Sequence, residues 1–328
     1  MKSTYLIIFT ALLSLQAMAQ NNSESLFEHF SKQDLLQVTL ETDFTSMLSD
    51  KQNEAYQTAT FSYMDENKQE VIYEIKVRQR GKYRRRVCEM PPLKLNFDKE
   101  ALLEKGFLDF DKVKLVTYCL DDIGARNTVV REYLAYQLYN ELTPYSYRTQ
   151  LVKVTYVDTM NPKNKIKHFG FLIESTRELA TRIGGEEVET FNISPSDFNP
   201  RQEALAATFQ YMIGNADWST SMMRNVKIIR PDNEGKLIPI PYDFDFSGMV
   251  SASYAIPNND LGLKSVKERA YMGYKEDNAS IGVMQSYLER KKADLYQIIN
   301  RCKYLPRTNR YEVIEYLDTY YEDSKIMD

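Results

Sequence analysis

Histidine is almost missing from this chain: His29 and His168 are the two it has among 328 residues. A zinc site draws heavily on histidine, and a Ser-His-Asp triad needs one as its base. Acid–base or metal chemistry here must therefore rest on carboxylates. Cysteine is scarce as well, and the spacing of Cys88, Cys119 and Cys302 fits neither a zinc nor a redox motif. Oxidising surroundings would make Cys88–Cys119 the expected disulfide, because Cys302 sits in a separate helical stretch; three isolated buried thiols are the alternative. No apolar run is long enough to span a bilayer. The apolar stretch from Tyr5 to Leu15 follows a single lysine and precedes Ala17-Met18-Ala19, the layout of a secretory signal peptide cut after Ala19. No cysteine lies near that cut, so the expected product is exported without a lipid anchor or transmembrane segment, to a bacterial periplasm or cell surface. The net charge is −4, or −5 without Lys2, which gives no reason to expect nucleic acid.

What is present reads as an α+β chain. Residues 20–34 are polar and are expected to be a mobile N-terminal segment. Residues 35–175 are expected to form a β-rich lobe. LLQVTL opens it, ATFSYMDENKQEVIYEIKVRQRG reads as a strand, a turn and a strand, and PPLKLNF and VKLVTY follow as further strands. The alternation of VIYEIKVRQR places Ile72, Glu74, Lys76, Arg78 and Arg80 on one face. Helical spacing then takes over at Thr128–Leu142, stopped by Pro144, and the strands YRTQLVKVTYVD and KIKHFGFLIES make a hairpin around Asn161-Pro162. Residues 176–328 are expected to be a mainly helical lobe, irregular over 176–200 and helical from Arg201. Within it NVKIIRPDNEGKLIPIPYD forms a hairpin, and two amphipathic helices close the chain. There is no internal repeat and no low-complexity tract.

The hairpin matters because of its flanks. GNADWSTSMMRN places Asn215, Asp217 and Asn225 before it, and PYDFDFSG places Asp243 and Asp245 after it. Folding back would bring the two acidic groups together. An oxygen-only ligand set suits Mg²⁺ or Mn²⁺. Phosphoryl transfer needs such a set, together with cations against the phosphates and a group that positions the nucleophile.

These segments resemble the active-site segments of the CotH-type secreted kinases, named after a spore-coat protein, and more distantly those of HipA-type and lipid kinases. The likeness extends upstream through RQRGKYRRR followed by PPLKLNF, through RNTVVREYLAYQL, and through KHFGFLIE, covering most of residues 70–250 in order. It implies an atypical protein-kinase-like two-lobe fold that binds ATP or another nucleotide and phosphorylates a protein or small-molecule hydroxyl. Carried over residue by residue, it makes Asp217 the catalytic base or a metal ligand. Asn225 and Asp243 become metal ligands, and Asp245 a second carboxylate ligand or an orienting residue. Lys94, with Arg78 or Arg80, would contact the nucleotide phosphates, and Glu132 would pair with Lys94. Glu174 would lie near the adenine side, and Trp218 could wall the pocket. The chain departs from the pattern at Lys82–Arg86, where a small or serine-rich turn is usual.

Plainer readings stand beside these. Asp243 and Asp245 could cap a turn, Asn225 could be a turn residue, and Lys94 and Glu132 could face solvent. Trp218 could be core, and Arg84–Arg86 could be a charged edge that discourages strand aggregation. Two other functions compete with the kinase. One is a non-catalytic, pseudokinase-like assembly protein of the cell envelope. The other is a glycosyltransferase using Asp-x-Asp to hold a metal and a nucleotide sugar, although no glycine-rich strand–turn–helix opening supports it.

Overall fold

The computed structural model describes residues 24–233, 235–274 and 278–322. The leader read from residues 1–19 lies outside them, as does Glu234 in the hairpin turn. Among the described residues no helix is long and apolar enough to cross a membrane.

The first half is a barrel. In chain order it comprises α1 (Leu26–Ser31), β1 (Leu36–Thr42), α2 (Phe44–Ser49), β2 (Gln57–Met64), β3 (Glu70–Gln79), α3 (Arg84–Val87), β4 (Leu93–Phe97), α4 (Lys99–Glu104), β5 (Lys112–Val116), α5 (Ala125–Leu142), β6 (Thr149–Asp158) and β7 (Lys165–Ile173). The expected strands and the β6–β7 hairpin are present. What the sequence did not show is closure: the strands run β1-β2-β3-β4-β5-β7-β6, and β6 returns to β1 in parallel, from Leu36↔Val152 to Thr42↔Asp158. That pairing joins segments more than a hundred residues apart, and residue alternation tells which face a strand buries, not which partner it takes. The fit to a kinase-type β-lobe is therefore loose.

The polar segment before β1 also differs from expectation. Ser25 and Glu28 form a reciprocal capping box that starts α1, and Leu26, Phe27 and Phe30 are buried against the barrel. Two charged flanks hid three large apolar residues within one short turn of helix.

The second half comprises α6 (Thr176–Arg182), β8 (Gly185–Val188), α7 (Pro200–Met212), β9 (Val226–Pro231), β10 (Ile238–Pro241), α8 (Asn278–Arg301) and α9 (Arg307–Glu322). Asn199 caps α7 through the amides of Arg201 and Gln202, with Pro200 at its first position. The hairpin β9–β10 is present, and β8 adds to it as a third strand. Residues 176–200, expected to be irregular, thus contain α6 and β8, both too short to show a period. Buried aromatics join the halves: Tyr136 of α5 meets Phe171 of β7 at 5.5 Å and Phe244 at 4.7 Å, and Phe244 meets Phe209 of α7 at 5.8 Å. The turn after β10 is thereby fixed against both.

Cys88 and Cys119 are bonded, tying the segment after β3 to the loop after β5. Their sequence separation of 31 closes a loop whose entropy in the unfolded chain is worth about 3–4 kcal/mol. A Cys88→Ala, Cys119→Ala variant should lose about that much in urea denaturation under non-reducing conditions. Unchanged stability would mean that closing this loop does not destabilise the unfolded chain relative to the folded one.

Candidate functional site

A cleft of about 700 Å³ opens between the barrel and the helical half, lined in part by Gly81, Arg84, Asp217, Asn225, Asp243 and Asp245. The connections after β3, after α7 and after β10 line it. Gly214 ends the turn after α7 at φ +66°, where a Cβ would lie 1.9 Å from the Tyr316 hydroxyl of α9, so only glycine fits. The next residues are placed by their own side chains. Asn215 is buried, donates to Gln210 Oε1 at 3.0 Å and accepts the Asp217 amide at 3.0 Å. Asn225, itself at φ 52°, donates its amide to the Asp217 carbonyl at 2.6 Å and to Asp217 Oδ2 at 3.0 Å. Across the hairpin, the Tyr242 amide donates to the Asn225 carbonyl at 3.0 Å. Asp243 follows at φ 64°, its amide donating to the Tyr136 hydroxyl oxygen at 2.8 Å. Two non-glycine residues of the cleft, Asn225 and Asp243, thus hold left-handed backbone, a strain that active sites commonly store.

The acidic group that gathers most tightly is Glu132, Asp243 and Asp245, with one ligand oxygen from each within 4.8 Å of the others. Glu132 therefore belongs with the carboxylates and not with Lys94. Its partner is Arg84, the middle of the chain's basic run. The Arg84 guanidinium pairs with Asp243, reaches Asp245 at 3.4 Å and Glu132 at 3.6 Å, and is buried. Arg84 gets there because Gly81 turns the chain at φ +82° and α3 lies across the cleft. Tyr83 supports it by donating to the Tyr254 carbonyl at 3.1 Å and by meeting Phe246 edge to face.

Burial works against the charges on Asp245, Glu132 and Arg84. It pushes Asp245 up to about 7 and Glu132 well above the carboxylate range, with Arg84 only partly offsetting it. For Arg84, burial is outweighed by Asp243, Asp245 and Glu132, which hold the guanidinium charged. Asp217 is raised too, by burial and by Asp243, against Arg224 (3.4 Å) and Asn225.

Arg84 does not use every oxygen of the cluster. Glu132 Oε1 is buried with no hydrogen-bond partner, and Asp245 Oδ2, buried as well, has only the Arg84 Nε at 3.4 Å. Unsatisfied carboxylate oxygens in an all-oxygen donor set fit a hard divalent ion. Asn225 lines the same cleft, and its side-chain oxygen is left over from the two bonds its amide makes.

The remaining sequence candidates separate. Lys94 pairs across strands with Arg78 and with Lys114. It does not line the cleft, and burial with Arg78 lowers its pKa. Arg78 is taken by Glu54 at 3.2 Å and by the Tyr56 ring. Arg80 is felt electrostatically by Glu132, Tyr242 and Lys114 but is not a cleft-lining residue. Glu174 is fully buried between Arg148 and Arg182, at 3.1 and 2.6 Å, just before α6. Trp218 is core, packed with Phe198, Val226 and Ile228. The lysine that sequence reading missed is Lys114, which lies 4.8 Å from the Tyr147 ring and 5.0 Å from that of Tyr242, the residue before Asp243. Burial pushes its amine down to about 7. A signal was there: VKLV immediately precedes the segment leading to α5, but a lysine flanked by valine and leucine reads like any strand lysine.

No protein-family model matches the sequence, and no curated protein matches it. Among solved structures, the Helicobacter pylori proinflammatory kinase CtkA is similar over 72% of this chain and 92% of that one, at 12% identity and a TM-score of 0.40. A likeness at that level carries no argument about this chain.

Proposed function

We propose that this chain is an exported CotH-like phosphotransferase with an atypical kinase-like two-lobe fold, the barrel of residues 35–175 serving as one lobe and residues 176–328 as the other. The observation behind this reading is the convergence of Asp217, Asn225, Asp243 and Asp245 on one cleft from two sides of a hairpin. Asp243 and Asp245, with Glu132 or Asn225, would hold Mg²⁺ or Mn²⁺. The ion would supply charge neutralisation for the phosphates of a bound nucleotide. Lys114 and Arg80 do not line the cleft, but they are coupled electrostatically to its carboxylates, Lys114 to Asp243 and Arg80 to Glu132, and would complement further phosphate charge. Asp217 would take the proton of an acceptor hydroxyl as its oxygen bonds to phosphorus and the bond to the nucleoside-diphosphate oxygen breaks. Export rests on the N-terminal leader pattern alone.

Calorimetric titration with MgATP tests the reading. Binding should require the metal, weaken by at least about tenfold in Asp243→Asn, and weaken more in Lys114→Met than in Lys94→Met. Equal affinity for MgATP in Asp243→Asn and wild type would remove the metal assignment.

One observation favours a second reading, a non-catalytic binding or assembly protein: Arg84 already neutralises the carboxylates that a metal would use. Absence of any nucleotide or metal binding would support it. A glycosyltransferase finds less support, since the described sheets are antiparallel except for β1–β6.

A further inference from the structure

A second cavity, of about 400 Å³, opens at the end of the barrel where β1, β5 and β6 finish and β7 begins. It shares no lining residue with the acidic cleft. Its floor is aromatic. Tyr118 meets Tyr156 at 5.7 Å and Phe44 meets Tyr156 at 5.7 Å, both edge to face. Its rim is acidic: Glu89, Asp121 and Asp158 line it, and none of the lining residues is lysine or arginine.

Local bonds fix the rim carboxylates without using up their oxygens. Glu89 Oε2 accepts the Asp121 amide at 3.2 Å. Asp158 accepts the Thr45 hydroxyl at 2.5 Å and the Met160 amide at 3.1 Å. Asp121 faces His168 Nε2 at 3.1 Å, and the imidazole stacks on Tyr118 at 3.9 Å. An independent feature points to a ligand. The Tyr156 side chain is 2% exposed, lines the cavity, and its hydroxyl has no hydrogen-bond partner. A buried hydroxyl on a cavity wall is costly unless something entering the cavity satisfies it. Barrel mouths with an apolar floor and a few polar groups are common ligand sites.

We propose that this cavity binds a primary alkylammonium group, carried either by a lysine side chain or by a free aliphatic diamine. The methylene stem lies over Tyr118, Tyr156 and Phe44, where a cation is also attracted to the ring faces. The ammonium donates to the rim carboxylates and to the Tyr156 oxygen in charge-assisted hydrogen bonds. An anion is repelled by the rim, and a neutral alcohol of the same length offers one uncharged donor where the ammonium offers three charged ones, so it cannot neutralise the rim.

Calorimetric titration of the full chain with 1,5-diaminopentane, Nα-acetyl-lysine amide and 1-pentanol tests this. At least one amine should bind and the alcohol should not. Binding of the diamine alone assigns the ligand to free amines, and binding of the lysine amide assigns it to side chains. Glu89→Gln and Asp158→Asn should each weaken amine binding about tenfold, and Tyr156→Phe, which keeps the ring, by a few-fold. Asp243→Asn in the acidic cleft should leave amine affinity unchanged, which separates this site from the proposed nucleotide site. The proposal fails if no amine binds up to about 10 mM, or if 1-pentanol binds as well as the amines. It also fails if Asp243→Asn, and not the well-folded Glu89→Gln or Tyr156→Phe, abolishes binding.

Discussion

Replacing Arg84 by methionine should cost about 3–5 kcal/mol of stability near pH 8, the usual loss when one partner of a buried charge cluster is removed. Arg84 is the cation that faces Glu132, Asp243 and Asp245 together. Without it, two carboxylates with side-chain exposures of 2% and 4% remain beside a third. The loss should depend on pH with a definite sign. Asp245 titrates near 7 and Glu132 higher than an ordinary carboxylate, both through burial, so the folded state binds protons that the unfolded state has released. The cluster's contribution to stability therefore falls as pH rises from about 4 through 7, already in the wild type. Removing the guanidinium raises both carboxyls further and steepens the fall, so the variant should recover much of its stability near pH 5. If the cluster accepts a divalent ion, added Mg²⁺ should stabilise Arg84→Met more than the wild type, because the ion no longer competes with an internal cation. Urea denaturation at pH 5 and pH 8, with and without Mg²⁺, reads all three effects. A variant as stable as wild type at pH 8, or equally weakened at both pH values, would show that Arg84 does not neutralise the cluster.

Arg84 also shows where sequence reading stops. The hairpin was legible because β9 and β10 alternate around a turn, and the hairpin alone brings Asp217 and Asn225 towards Asp243 and Asp245. The chemistry expected of those residues depended on proximity that a local pattern can supply. Arg84 and Lys114 depended on contacts between distant segments. In Lys82-Tyr83-Arg84-Arg85-Arg86 nothing local distinguishes Arg84, which enters the acidic cleft, from Arg85, which is buried against Glu54, or from Arg86, which remains exposed. The difference arises from α3, the turn at Gly81 and the tether at Cys88. Glu132 likewise lies on a helix whose polar and apolar residues are poorly segregated. It faces Arg84, and Phe171 and Phe244 pack on Tyr136 one turn further along α5; none of the three is near it in the chain. Barrel closure and α1 were missed for the same reason: each is decided by a partner more than a hundred residues away or by a single turn of helix.

Asp217→Asn should lower turnover by about 10²–10⁴-fold while leaving MgATP affinity within about threefold, if Asp217 takes the acceptor proton in the transition state. Asparagine preserves the shape, so the bonds to Asn225 and to the Asn215 side chain can persist, and a fall in rate would report the lost base. Label transfer from ATP to the protein itself or to water supplies an assay that needs no known acceptor. The pH profile adds a signature that a purely structural role would not give. Burial and Asp243 hold the Asp217 carboxyl above its ordinary range, so the rate should rise with pH through a midpoint above that of a free aspartate. Arg224 lies 3.4 Å away and pulls that carboxyl down. Arg224→Met should therefore move the same limb to higher pH, with the plateau rate at alkaline pH largely retained. Wild-type turnover in Asp217→Asn, or a limb that does not move in Arg224→Met, would exclude Asp217 as the base. A wild-type protein that binds MgATP but transfers no phosphate would instead favour the non-catalytic reading, with Arg84 as the reason the cluster does not act.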